Sequence, residues 1–114
     1  MISMLNYSKN IIILVRYPFS DLSNAKVRPA VIVNTPHISQ DILIVPLTST
    51  SKTGSLLDGE FVLSDWAAAG LNVITAVKRG IYTVNRSLVI KTVGKLDDVD
   101  IERLEQSLRG WLGL

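Results

Sequence analysis

Arg28 and Thr48 are the two residues of this 114-residue sequence whose types and settings suit joint chemistry. In Lys26-Val27-Arg28-Pro29-Ala30-Val31-Ile32-Val33-Asn34, an arginine stands where a polar loop becomes an apolar strand. In Ile42-Leu43-Ile44-Val45-Pro46-Leu47-Thr48-Ser49, an apolar run ends in two hydroxyls. If the two segments pair antiparallel, the start of the first lies beside the end of the second. A cation and a hydroxyl then share one rim of the sheet. That combination suits a phosphodiester, because a guanidinium is permanently charged and offers a fork of donors to phosphate oxygens. Each residue also has a plainer reading: a strand-end surface arginine, and a turn threonine.

Short apolar, β-branched runs predict six strands, near 11–16, 27–35, 41–47, 60–63, 72–78 and 88–93. Pro29 has no N–H to give a ladder, which places it in a strand's first turn or on an unpaired side. Residues 79–86 read as irregular. Ser64 to Gly70 reads as one helical turn, with Ser64 capping its start and Gly70 ending it. The clearest helix is C-terminal. Asp97 is its N-cap, and Ile101, Leu104, Leu108, Trp111 and Leu112 recur at helical spacing on one face. Asp98, Asp100 and Glu102 sit in its first turns, where the helix dipole favours negative charge. Six short strands and a terminal helix predict a mainly β fold, a small SH3-like antiparallel barrel with a C-terminal helix.

The length suits one domain spanning 1–114. Hydrophobic residues make up 47%, an excess that points to an apolar interface, most simply a homodimer. The absence of cysteine excludes disulfides, thiolate nucleophiles and cysteine metal sites. No apolar run reaches the ~18 residues of a membrane span, and the chain reads as cytoplasmic. His37 is the sole histidine, so a paired-histidine nuclease is excluded. No acidic or histidine cluster has metal-ligand spacing. Residues 1–96 carry ten Lys and Arg against five Asp and Glu; residues 97–114 carry two against five. A basic body with an acidic final element fits a polyanion partner, and equally an ordinary solvated surface.

Several blocks together resemble the PemK/MazF toxins, the endoribonuclease halves of type II toxin–antitoxin pairs. They are Val15-Arg16-Tyr17-Pro18-Phe19-Ser20-Asp21-Leu22-Ser23, the Lys26 to Val33 segment, Pro46-Leu47-Thr48-Ser49, and Asn85 to Ile90 through Gly94-Lys95-Leu96 and the final helix. Their order and spacing cover nearly the whole chain from about Ile11. The resemblance implies a homodimeric barrel that cuts single-stranded RNA without a metal or other cofactor. The substrate's own 2′-hydroxyl would attack phosphorus, leaving a cyclic phosphate. It also implies an antitoxin partner with a disordered acidic tail. Carried onto this sequence, the catalytic arginine is Arg28, and the hydroxyl is Thr48 with Ser49 beside it. Lys26, Lys52, Lys78 and Arg79 are the candidates for RNA backbone contact. The family's Arg-x-Asp element is not matched: Lys78 and Gly80 stand in its place. Asp21 is the replacement candidate for the base, with capping of its own turn as its plainer role. Two alternatives stay open on sequence alone: a barrel toxin that poisons DNA gyrase, and a non-catalytic member that binds RNA or a peptide.

Overall fold

The computed structural model describes residues 7–17, 26–34, 41–49 and 56–114. Seven strands and one helix follow in the order β1 (Ile11–Tyr17), β2 (Lys26–Ile32), β3 (Asp41–Ser49), β4 (Phe61–Val62), β5 (Thr75–Val77), β6 (Tyr82–Asn85), β7 (Val89–Lys95) and α1 (Asp98–Leu112). All pairings are antiparallel, along the path β4-β5-β3-β2-β1-β7, with β6 also on β3. The sheet is not closed: β4 and β7 end the path without pairing to one another. The mainly β class with a terminal helix is the architecture observed.

The continuous apolar runs exist because β1, β2 and β3 are buried on both faces. Ile12, Val31, Val45 and Leu47 point to one core, shared with Phe61, Leu63, Val77 and Leu104. Ile13, Val15, Ala30, Ile32, Ile42 and Ile44 point to a second core, covered by Val84, Tyr7, Leu88 and Val89. The helix seals the first core through Leu104, Ile101, Leu108 and Trp111. Leu112, expected on that face, is 58% exposed. It falls on the last turn of the helix. Asp97 caps α1 by accepting from the Val99 N–H, and Gly113 ends it in a left-handed conformation.

Four sequence expectations are corrected. β6 occupies 82–85, inside the stretch read as irregular. The second strand ends at Ile32 rather than at 35. The side chain of Asn34 accepts from the Leu43 N–H at 3.0 Å and stands in for a ladder bond there. Residues 64–70 form successive turns rather than a helix. Their first turn is capped by Asp65, which accepts from the Ala68 N–H, and not by Ser64. Ser64 instead gives its N–H to both oxygens of Asp100, a carboxylate 1% exposed. Asp100 therefore serves as a tie between α1 and the 64–70 turns. Gly70 does end the segment, at a φ of +94° that favours glycine.

Two prolines shape one end of the central strands. The Val33 N–H donates to the Leu43 carbonyl, and the register continues through Val31 opposite Val45. Hydrogen-bonded pairs recur every second residue in an antiparallel ladder, so the next would join residue 29 to residue 47. Residue 29 is proline and has no N–H, and the β2–β3 pairing stops at Ala30. Beyond that point β3 keeps only the partner on its opposite edge, β5, with Leu47 lying opposite Val77. On that same edge Pro46, within β3, accepts from the Lys78 N–H but has no N–H to return. There, two residues of β3 (45 and 46, between Ile44 and Leu47) oppose four residues (78–81, between Val77 and Tyr82). The result is an opened strand end beside a bulge of two extra residues.

Candidate active site

The missing ladder bond at Pro29 leaves the first residues of β2 and the last of β3 close but unzipped. Alternation along β2 sets Arg28 on the face of Ala30 and Ile32, and alternation along β3 sets Thr48 on the face of Ile44. Both residues line each of two adjoining clefts. The first holds about 230 Å³ and is bounded by Arg28, Pro46, Thr48, Lys78, Arg79 and Tyr82. The second holds about 310 Å³, and its walls include Lys26, Arg28, Thr48, Ser49, Asn72 and Val73. Arg28 and Thr48 are half-buried, reachable from solvent yet backed by the core. The Thr48 hydroxyl donates to the Ser49 carbonyl at 3.3 Å, a long bond that a better acceptor can displace.

Among the described residues, four cations line the two clefts (Lys26, Arg28, Lys78 and Arg79) and no carboxylate does. A concave surface walled by one sign of charge concentrates an anionic ligand. The bulge at 78–81 carries two of the four. Its geometry is fixed from behind by Glu60, whose side chain is 1% exposed. One Glu60 oxygen accepts from the Leu57 N–H at 2.8 Å. The other accepts from the Arg79 N–H at 2.8 Å and lies 3.7 Å from Lys78 Nζ. Burial alone would raise the pKa of this carboxyl. The N–H groups of Arg79 and Leu57 and the Lys78 ammonium outweigh it and hold the pKa below its ordinary 4.5.

Gly80, where a carboxylate stands in the sequence pattern of the toxins, has a φ of +145°. A Cβ there would meet the Tyr82 ring at 2.9 Å. The bulge thus holds glycine for steric reasons, and Tyr82 occupies the space a side chain would need.

Six of the eight sequence candidates come together at the clefts: Arg28, Thr48, Lys26, Ser49, Lys78 and Arg79. Asp21 and Lys52 lie outside the described residues, as does His37. Sequence reasoning missed Tyr82 and Glu60. Tyr82 falls in the stretch read as irregular, where a four-residue strand gives too short a pattern to show; nothing in the pattern around Glu60 announced its partners nineteen residues on. Trp66 and Trp111 pack against the first core, and Trp111 Nε1 donates to the Asp58 carbonyl. No three His, Asp or Glu residues gather into a metal-binding group among the described residues.

The family model for the PemK-like, MazF-like toxins of type II toxin–antitoxin systems matches residues 9–112, and the chain belongs to that family. Among solved structures, a mycobacterial endoribonuclease in complex with its cognate antitoxin aligns with a TM-score of 0.71 at 17% identity, covering 94% of this chain and 95% of its own. MazF from Deinococcus radiodurans aligns with a TM-score of 0.70 at 17% identity, over 94% of this chain and 96% of its own. The Mycobacterium tuberculosis toxin MazF-mt6 aligns with a TM-score of 0.66 at 21% identity, over 90% and 96%. At these identities the likeness is one of fold. No curated protein matches the sequence significantly. No helix of the described residues is long and apolar enough to cross a membrane.

Proposed function

We propose that the protein is the toxin of a type II toxin–antitoxin pair and cleaves single-stranded RNA at the Arg28–Thr48 clefts. The observation that carries this reading is the sharing of Arg28 and Thr48 by two adjoining clefts whose charged walls are all cationic among the described residues. A phosphodiester at the junction of the clefts leaves one nucleoside for each. The Arg28 guanidinium faces the phosphoryl oxygens, where negative charge grows as the 2′-hydroxyl attacks. The Thr48 hydroxyl, weakly held in the free protein, donates to the same phosphate or orients the attacking oxygen. Lys26, Ser49, Lys52, Lys78 and Arg79 hold the backbone on either side, which makes binding salt-sensitive. Asp21, on the connection between Tyr17 and Lys26, is the base in this reading, and the proton it takes is the 2′-hydroxyl's. The products are a 2′,3′-cyclic phosphate and a free 5′-hydroxyl. A homodimer and an antitoxin with an acidic tail complete the proposal. Exposed Val27, Val73, Ile74 and Ile81 offer apolar area to such partners.

The test uses purified protein, a randomised single-stranded RNA pool and a chelator in the buffer. Cleavage should persist in chelator and leave cyclic-phosphate ends, while a pool with 2′-deoxy sugars stays intact. Arg28→Ala should lower the rate by about 10² to 10³, the usual cost of one preorganised donor. Cleavage of the deoxy pool, or an Arg28→Ala protein as fast as the wild type, would refute the mechanism. Inhibition of supercoiling by purified gyrase, with RNA left intact, would favour the gyrase-poison alternative.

A further inference from the structure

Glu60 never enters either cleft, yet it holds both residues that the bulge contributes to one of them. The bulge has lost its regular ladder on the β3 side. Lys78 keeps one bond, to the Pro46 carbonyl, and the next N–H, that of Arg79, has the Glu60 carboxylate as its acceptor. The same oxygen faces the Lys78 ammonium, so one buried carboxylate sets the backbone at 79 and the charge presented at 78. Its other oxygen ties this unit to Leu57, in the segment leading into β4. One oxygen is thus engaged by two residues of the cleft wall, and the other is anchored outside it.

We infer that Glu60 is a positioning residue for RNA cleavage: it fixes the Lys78–Arg79 bulge against the RNA backbone and tempers the positive charge of Lys78. The inference rests on the reading of the clefts as an RNA-cleaving site. It predicts that binding and turnover respond in opposite directions when the charge is removed. Glu60→Gln keeps the size of the side chain and one carbonyl acceptor. It loses the negative charge and one of the two acceptor oxygens. Lys78 then presents its full charge to phosphate, which strengthens salt-dependent attraction. The Arg79 backbone loses its fixed seat, and a small misplacement at a reacting centre costs about tenfold to hundredfold in rate. A residue that mattered only for stability would reduce the folded fraction, scaling binding capacity and rate together without changing Kd.

The experiment compares wild type and Glu60→Gln on one RNA oligonucleotide that the wild type cuts. Single-turnover cleavage gives the rate, and fluorescence anisotropy with the 2′-O-methyl form of the same oligonucleotide gives Kd against salt. The expected result is a rate at least about tenfold lower. Kd at low salt should be equal or tighter, with a slope of log K against log salt steeper by up to ~0.7. A rate within about twofold of wild type, or a Kd weakened in step with the rate, overturns the inference. If Glu60→Gln does not fold, the wild-type protein still decides the matter. Its Arg79 amide should exchange slowly with deuterium, and its nitrogen shift should move as Glu60 is protonated. A fast-exchanging Arg79 amide, or a shift flat across that titration, removes Glu60 from the role. A wild-type protein that cuts no RNA overturns the functional reading itself, an outcome distinct from a wild type that cuts and a variant that cuts equally well.

Discussion

Gly80 offers the sharpest test of the bulge, because the toxins' sequence pattern puts a carboxylate where this chain has glycine. The backbone there has a φ of +145°, a region that L side chains rarely adopt. Holding a non-glycine residue in such a region costs about 1–3 kcal/mol. An added Cβ also meets the Tyr82 ring at 2.9 Å and its hydroxyl at 3.3 Å. Tyr82 is 43% exposed, and the cost is reckoned from the backbone strain alone. The loss of glycine's freedom in the unfolded chain returns about 0.4–1 kcal/mol. The net cost of Gly80→Ala is therefore roughly 0.5–2.5 kcal/mol, or about 2–10 °C in Tm for a chain of this size. Gly80→Asp should lose a similar amount, and it should not speed RNA cleavage. The new carboxylate would displace Tyr82 from the cleft wall and add a negative charge among four cations. Thermal unfolding followed by circular dichroism, with a cleavage assay on the same preparations, reads both effects. An alanine variant that melts with the wild type, or an aspartate variant that cleaves faster, would show that the backbone at 80 is not held as described.

Three other outcomes can be measured directly. Thr48→Val removes one hydroxyl at constant shape; cleavage should fall by about 10², while the Tm stays within about 2 °C because the bond it makes among the described residues is a long one at the surface. Pro29→Ala supplies the N–H that the β2–β3 ladder lacks, so hydrogen exchange should find residue 29 protected and the cleft at Arg28 narrowed. Its Tm should change little, since one gained bond of about 1 kcal/mol is offset by a looser unfolded chain, and its cleavage rate should drop. Glu60 makes stability depend on acid with a definite sign. Its folded pKa lies below 4.5, so its ionised form stabilises the fold above that pH, and the contribution is lost as pH falls through the lowered value. In urea titrations from pH 6 to pH 3, the stability gap between wild type and Glu60→Gln should close below pH 4.5. A gap that stays constant would deny the linkage.

The parts of the fold legible in the sequence were those that depend on near neighbours. Two apolar runs close in sequence suggested an antiparallel return, and that pairing, which the structure has, sets Arg28 and Thr48 at one end. The terminal helix announced itself through Asp97 and its apolar spacing. β6 was hidden because it is four residues long, buries only Val84, and follows Gly80, which reads as punctuation. Its existence is decided by the edge of β3 that it completes, which is a tertiary fact. The two buried carboxylates show the same limit more strongly. Asp100 satisfied the dipole rule for a first helical turn, yet its oxygens serve the Ser64 N–H thirty-six residues away. Glu60 looked like the polar start of a short strand, yet it stands in for a ladder acceptor opposite the bulge.

Both acids belong to one physical problem. Where regular pairing breaks off, at the 64–70 turns and at the 78–81 bulge, backbone N–H groups must be satisfied outside a ladder. The donors at 64 and 79 find carboxylates instead of carbonyls. An ionised acceptor makes the stronger bond, worth about 1.5–3 kcal/mol against about 1 for a neutral one. That surplus lets an irregular segment be held as firmly as a strand, and a firmly held irregular segment is what a cleft wall requires. The prolines interrupt the ladder at the cleft walls and Glu60 holds the bulge from outside them, so under the proposed function Glu60 variants should change cleavage although Glu60 lines neither cleft.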